Sequence, residues 1–288
     1  MHKIKFISCL LLVLILSDFT YAQRRRYKVA KKNGITWEMN FGATNMLGDL
    51  GGADKIGAKG LQDLDFPASR YCAGGGIVLN GLKPIDFRFN TAYLRLNGSD
   101  TYTENEARKI RNITVNTDVF LFNALIEVKM PLSSRGTFGS GSHICLNAGI
   151  GGFYFNPKAT YNGQSYGLSK LKTEGQGSSN DRPIYSQLVL DVPFGIAYRY
   201  YMTKYSSYGF ELMAHKSFTD YLDDVSTTYY DNETIRINNG EAAAYLADPN
   251  TTGIKRTAGS KRGNPKQNDN FFTVSFTYRY TIHSSRLF

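Results

Sequence analysis

Chemistry needs nucleophiles, bases or metal ligands brought close together, and this chain offers few. Beyond residue 22 its histidines are His143, His215 and His283, each on a different segment. There is no His-Glu-x-x-His, Cys-x-x-Cys, Gly-x-Ser-x-Gly or phosphate-loop pattern. The nearest approach to an acyl-transfer group is His215 with Asp220, and a lone histidine of this kind is more often packed than catalytic. The run Ser217-Phe-Thr-Asp-Tyr-Leu-Asp-Asp-Val-Ser226 gathers Asp220, Asp223 and Asp224 around Tyr221. Calcium would ask for more oxygen ligands at regular spacing. The sequence therefore predicts no enzyme, no cofactor and no metal. It leaves that run as a structured loop over its neighbours, with partner binding through Asp220, Tyr221, Asp223 and Asp224 as the second reading.

A larger set of charges is dispersed at every second position of apolar segments: Glu38, Asp86, Arg88, Glu127, Lys129, Asp191, Arg199, Glu211 and Arg279, with His215 in the same phase. Strand side chains alternate across the sheet, so each of these must share a face with polar neighbours while the opposite face is apolar. Asn270–Tyr280 shows the pattern cleanly: Phe272, Val274, Phe276, Tyr278 and Tyr280 against Thr273, Ser275, Thr277 and Arg279.

Eight segments carry this period: Gly34–Ala43, Arg70–Leu79, Ile85–Leu96, Thr114–Met130, Ile144–Phe155, Leu188–Tyr200, Tyr208–Ser217 and Asn270–Tyr280. The phase of the third blurs beyond Tyr93, which suggests a bulge. Gly74-Gly75-Gly76 in the second suggests a tight bend or bulge, and so does Pro193 in the sixth. The connections alternate between long and short, and both Asn80-Gly-Leu-Lys-Pro84 and Thr203-Lys-Tyr-Ser-Ser207 have turn chemistry. That rhythm predicts an all-β fold: an eight-stranded antiparallel transmembrane β-barrel, with short periplasmic turns and long extracellular loops. A soluble sandwich gives no reason for the alternation. Phe and Tyr, at 18 and 20 against one Trp, suit strands and membrane interfaces.

In a barrel of this width the polar faces point into a lumen that side chains just fill. The charges there should form an ion-pair network that closes the pore, since isolated buried charges are not tolerated. A proton or ion path is the sharper alternative. Cys72 and Cys145 should lie at opposite ends of the barrel as free thiols.

Residues 1–22 read as a secretory signal: Lys3 and Lys5, an apolar core from Ile7 to Leu16, and Thr20-Tyr-Ala22. Its removal takes the formal charge from +10 to about +9. The following segment, 23–33, concentrates Arg24, Arg25, Arg26, Lys28, Lys31 and Lys32. It is either a solvated tail or an electrostatic contact for acidic lipid or an acidic partner. The barrel would occupy 34–288. Nucleic acid is a poor candidate partner for an exported chain.

Three stretches resemble a known family: Gly48-Asp-Leu-Gly-Gly52, His215–Ser226, and Lys261-Arg-Gly-Asn-Pro-Lys-Gln-Asn-Asp-Asn-Phe-Phe-Thr273 with Thr277-Tyr-Arg-Tyr280. They are similar to PorG-like outer-membrane barrels of the type IX secretion system in Bacteroidota, although this chain continues past the terminal aromatic to Phe288. The resemblance implies a non-enzymatic part in protein export, and in some species gliding. It also implies association with a periplasmic ring of PorK-like lipoprotein and PorN-like protein, with Arg24–Lys32 facing that ring; the rhythm of short and long connections by itself puts both termini in the periplasm. The reading from residues alone stops at a narrow outer-membrane barrel. That reading is equally met by small OmpX- or OmpW-like barrels acting in adhesion, lipid binding or passage of small hydrophobic solutes.

Overall fold

The computed structural model describes residues 34–50, 66–81, 84–103, 105–132, 141–203 and 205–283. The signal segment 1–22, the basic segment 23–33 with Arg24, Arg25, Arg26, Lys28, Lys31 and Lys32, the pair Gly51-Gly52 and the end at Phe288 lie outside the described residues.

The chain forms one antiparallel sheet closed on itself. Its strands are β1 (Gly34–Leu47), β2 (Arg70–Asn80), β3 (Ile85–Ser99), β4 (Thr114–Pro131), β5 (Gly141–Tyr161), β7 (Leu188–Tyr201), β8 (Ser206–Ser217) and β9 (Asn270–His283). The order β4-β3-β2-β1-β9-β8-β7-β5 returns to β4 through a β4–β5 ladder, so no edge of the barrel is left unpaired. Closure matters because an unpaired strand edge has no hydrogen-bond partner in hydrocarbon. The seam is β1 on β9, paired from Gly34 opposite His283 to Leu47 opposite Asn270. A short β6 (Gln164–Gly167) extends β5 as a hairpin beyond the barrel.

The strands are longer than their alternation indicates, and where the sequence suggested bulges their registers run unbroken. On β3 the phase never slips. Beyond Tyr93 the inward positions are Leu94 and Leu96, both buried, so the polar–apolar contrast vanishes while the geometry continues. Gly74, Gly75 and Gly76 pair in continuous register with β1 and β3. Their need for glycine is close approach: a Cβ on Gly76 would stand 2.1 Å from the Phe89 carbonyl oxygen. Pro193 stays in register with His215, and only the β5 ladder opens beside it, between Ala148 opposite Phe194 and Gly151 opposite Asp191. A residue without an N–H costs a bond there but inserts no extra residue.

Outward positions carry Trp37, Met39, Phe41, Phe87, Phe89, Phe120, Phe122, Ile150, Leu190, Phe194, Phe210 and Val274, all exposed. Ile150 and Leu190 reach 71% and 72% exposure, far beyond what a water-soluble surface leaves as a continuous apolar band. On β4 the band runs from Phe120 to Met130, the span of a tilted strand of roughly 9–11 residues across a bilayer core. No helix among the described residues is long and apolar enough to cross a membrane.

The two ends differ. At the turn end, β2–β3 and β7–β8 are joined within a few residues. The loop end carries α1 (Glu106–Arg111), β6, α2 (Leu168–Leu171), α3 (Asn232–Asn239) and α4 (Glu241–Ala247), none of them foreseen from the sequence.

Candidate functional site: the sealed lumen and its cap

Seven strands aim a polar side chain at one level of the lumen, and β2 contributes glycine there. Glu38 (β1), Arg88 (β3), Glu127 (β4), Arg199 (β7), Glu211 (β8) and Arg279 (β9) are all buried. Three guanidinium groups face three carboxylates, so the set is formally neutral. Arg88 bridges Glu38 at 2.6 Å and Glu211 at 2.6 Å, and also donates to Asn147 of β5 at 3.0 Å. Arg279 grips Glu127 in a fork, two bonds of 2.7 Å, and also reaches Glu38. Arg199 is held more loosely, 3.5 Å from Glu127, 3.8 Å from Glu38 and 3.4 Å from the Thr277 hydroxyl. The fork geometry suits arginine, whose donors match a carboxylate pairwise.

The remaining predicted lumen charges form two separate pairs. Lys129 binds Asp86 at 2.5 Å toward the turn end. His215 Nδ1 lies 2.8 Å from Asp191, and its ring stacks on Phe271 with centroids 4.4 Å apart. That arrangement answers the His215–Asp220 question: His215 is a packed lumen residue whose carboxylate partner is Asp191. His143 and His283 lie on other strands, opposite Pro131 and Gly34. Cys72 and Cys145 are both free and buried. No group of His, Cys, Asp or Glu among the described residues is arranged to hold a metal ion.

Above the charged layer lies a cavity of about 30 Å³, lined by Asn40, Asn90, Asn123, Glu211, His215 and Ser275 among others. Such a space admits about one or two waters and nothing larger. Toward the loop end the interior then becomes an apolar plug: Met46, Leu94, Leu96, Val119, Leu121, Phe153, Phe155 and Phe271, joined by Leu222 descending from the β8–β9 loop. Phe153 and Phe271 meet edge-on at 5.6 Å. The lumen is therefore shut twice, once by paired charge and once by close packing.

The cap above the plug corrects the reading of Asp220, Tyr221, Asp223 and Asp224 as a partner-facing group. Asp223 and Asp224 are fully buried, Asp220 is buried and Tyr221 half-buried. Asp223 turns inward to accept the backbone N–H groups of Asp49 (2.9 Å), Leu50 (3.2 Å) and Val225 (2.9 Å). Asp224, held in left-handed backbone at φ 58, accepts the Tyr185 hydroxyl at 2.7 Å and the Thr173 hydroxyl. Asp269 accepts Leu222 N–H at 2.9 Å, and its own N–H donates to the Thr219 carbonyl at 2.9 Å.

Two arginines tie the remaining loops in. Arg262 donates to Glu174 at 2.9 Å and to the Asp224 carbonyl. Arg111 at the end of α1 forks onto Asp100 with two 2.7 Å bonds, and reaches the carbonyls of Asp49 and Arg262. Asp223, Asp269 and Glu174 go inside here because they satisfy backbone amides that no strand ladder can reach. Burial pushes the Asp220 carboxyl up to about 7 and that of Asp224 to about 6. Asp223 and Asp269 are raised well above the usual carboxylate range, by burial first and then by neighbouring acids.

Neither Arg262 nor Asp269 stood out as a site residue in the sequence, and both belong to this structure. The signal that could have found them is the Lys261–Thr273 stretch. Its residues converge on Asp49 and Asp223: Asn264 N–H donates to Asp49, while Asp223 and Asp269 carboxylate oxygens both flank Gly48.

Fold and interior together define a membrane-spanning β-barrel with a sealed lumen and a folded cap. Among solved structures, the chain is similar to the N-terminal β-barrel domain of Pseudomonas aeruginosa OprF (9% identity, TM-score 0.37, covering 87% of this chain and 100% of that one). It is also similar to Neisserial surface protein A (8%, TM-score 0.39, 86% and 97%). A third is Ail of Yersinia pestis, solved with a heparin analogue (8%, TM-score 0.36, 86% and 99%). At these identities and scores the likeness carries no argument about activity. No family model matches the chain, and no curated protein matches it.

Proposed function

We propose that this chain is an outer-membrane barrel without enzymatic activity that serves protein secretion as a structural component of a type IX machine. Its loop end would face outward and its termini the periplasm, where the basic segment 23–33 meets a ring of PorK-like and PorN-like proteins. The observation that carries the reading is the doubly closed interior. A barrel with no passage, and no assembled catalytic group among its described residues, acts through its surfaces. The three segments whose residues resemble the PorG-like family meet in one cap, Gly48–Asp49, Asp223 and Arg262–Asp269, which supports treating that resemblance as one structural unit.

Deleting the gene tests the role. Loss of cargo from the culture medium, with the cargo retained in the periplasm, is expected. Unimpaired export refutes the secretion role and leaves adhesion or lipid binding by a small OmpX- or OmpW-like barrel; the closed lumen argues against passage of solutes. Cross-linking from Arg24–Lys32 should recover a ring protein, and recovery of none overturns the proposed contact.

A further inference from the structure

One polar cluster sits on the outer wall instead of inside the barrel. On β4 the outward positions run Asp118, Phe120, Phe122, so Asp118 stands one step beyond the apolar band. It pairs in register with Arg95 on β3 and Asn156 on β5, and Asn116 pairs with Lys158. Beneath them Tyr71, Tyr93 and Phe120 form a chain of rings with centroids 6.1 and 5.2 Å apart. Aromatic residues of this kind mark the level of lipid headgroups.

Asp118 organises two cations. One carboxylate oxygen accepts Lys158 Nζ at 2.8 Å; the other accepts the Tyr93 hydroxyl at 2.7 Å and faces Arg95 Nη1 at 3.9 Å. Lys158 and Arg95 keep 36% and 37% of their side-chain surface exposed. At 3.9 Å the Arg95 contact is an ion pair without a hydrogen bond, and among the described residues the guanidinium makes none. A half-exposed arginine with uncommitted donors, beside an anchored lysine, leaves a net positive charge at the lipid boundary. Tetrahedral phosphate oxygens are the groups that match an arginine fork with a neighbouring ammonium.

We propose that Arg95 and Lys158, held in place by Asp118 and the Tyr93 hydroxyl bonded to it, bind the phosphate of a membrane lipid headgroup on the outside of the barrel wall. The proposal rests on the membrane-spanning reading of the fold and on the outward-facing loop end proposed above, and not on the secretion role. Lipids of the leaflet at the loop end are the source, because the cluster faces away from the lumen and lies directly over the aromatic band.

The test uses the full-length barrel purified in detergent, with native mass spectrometry counting retained lipid. Three probes are compared: lipid A, lipid A stripped of its phosphates, and inorganic phosphate at millimolar concentration. Lipid A should be retained by wild type and fall at least about tenfold in Arg95→Gln/Lys158→Gln. The dephosphorylated lipid should bind as weakly to wild type as lipid A does to the variant, and free phosphate should not displace lipid A. Equal retention by variant and wild type, or by phosphorylated and stripped lipid, overturns the proposal. Displacement by free phosphate makes the ligand a soluble anion and overturns its lipid identity. Heat-modifiable migration on gels confirms that the variant barrel is folded, and because both side chains are on the surface this is expected. Failure of these arms leaves export unaffected, whereas failure of the gene-deletion test leaves lipid retention unaffected.

Discussion

Removing one charge from the lumen tests the whole account of its interior. Glu127→Gln keeps the shape of the side chain but leaves three arginines, Arg88, Arg199 and Arg279, facing two carboxylates, Glu38 and Glu211. Glu127 is fully buried, takes the Arg279 fork and has Arg88 and Arg199 within 3.5 Å. Its loss strands one unit of positive charge inside the barrel. Breaking a buried pair by removing one partner costs about 3–5 kcal/mol, and the Arg279 fork places this site at the upper end of that range. Denaturant unfolding from lipid vesicles gives the number, and Trp37 is the natural reporter. It is the single tryptophan of the chain and lies on the lipid face, so its emission shifts when the barrel leaves the bilayer. Glu127→Gln/Arg199→Gln restores neutrality by removing the most loosely held arginine, and should recover about half of the loss. Glu106→Gln on the exposed α1 should stay within about 0.5 kcal/mol of wild type. A cost below about 1 kcal/mol for Glu127→Gln, or simple additivity in the double variant, refutes a dry, coupled network.

Three further outcomes are expected. The cap should weaken as pH rises: Asp220 and Asp224 hold protons to about 7 and 6 when folded and release them near 4 when unfolded. Their contribution is complete below about pH 4 and is lost on passing through about 6–7. Hydrogen exchange at Thr219–Ser226, corrected for intrinsic rates, should therefore lose protection between pH 5 and 8 while the strands keep theirs; protection that rises with pH contradicts the buried-acid assignment. Gly76→Ala puts a Cβ 2.1 Å from the Phe89 carbonyl oxygen and 2.9 Å from Asn90 Cα, both backbone, and should cost about 3 kcal/mol or prevent formation of the heat-resistant band on gels. Gly167→Ala, whose nearest neighbour would be Asn156 Oδ1 at 3.4 Å, should be close to neutral. Maleimide should label neither Cys72 nor Cys145 in the folded barrel and both after unfolding, with no bond between them in the mass spectrum.

The barrel was legible because lipid and lumen demand opposite chemistry from adjacent residues. Glu38, Glu127 and Arg279 could be placed inward from their neighbours alone. The signal fails where both sides of the wall are apolar. Val119 and Leu121 face inward beside Phe120 and Phe122 facing outward, and Phe153 and Phe155 flank Tyr154. Periodicity in hydrophobicity cannot report a face when the contrast is gone, so the blurred phase of β3 looked like a bulge and the plug went unseen. The cap was hidden for a different reason. Asp223 and Asp269 satisfy backbone amides dozens of residues away, and an acid in a loop gives no local sign of what it will accept. Their burial follows from the meeting of distant loops, which no single stretch of sequence displays.

The cap joins loops that in a simple barrel would be free of one another. Asp49 follows β1, Arg111 precedes β4, Glu174 precedes β7, and Asp223 and Arg262 lie between β8 and β9, yet each is bonded to at least one of the others. Such a surface cannot be varied loop by loop. Exchanging any one of these segments for another sequence removes an anchor from its neighbours, so change at the anchors has to be concerted. Tags and epitopes should be tolerated at places that anchor nothing, such as Gly253, where the chain turns through positive φ with no side chain or backbone within 4 Å of a Cβ position. These points are where the barrel can present a changed face to its surroundings while its closed interior stays as it is.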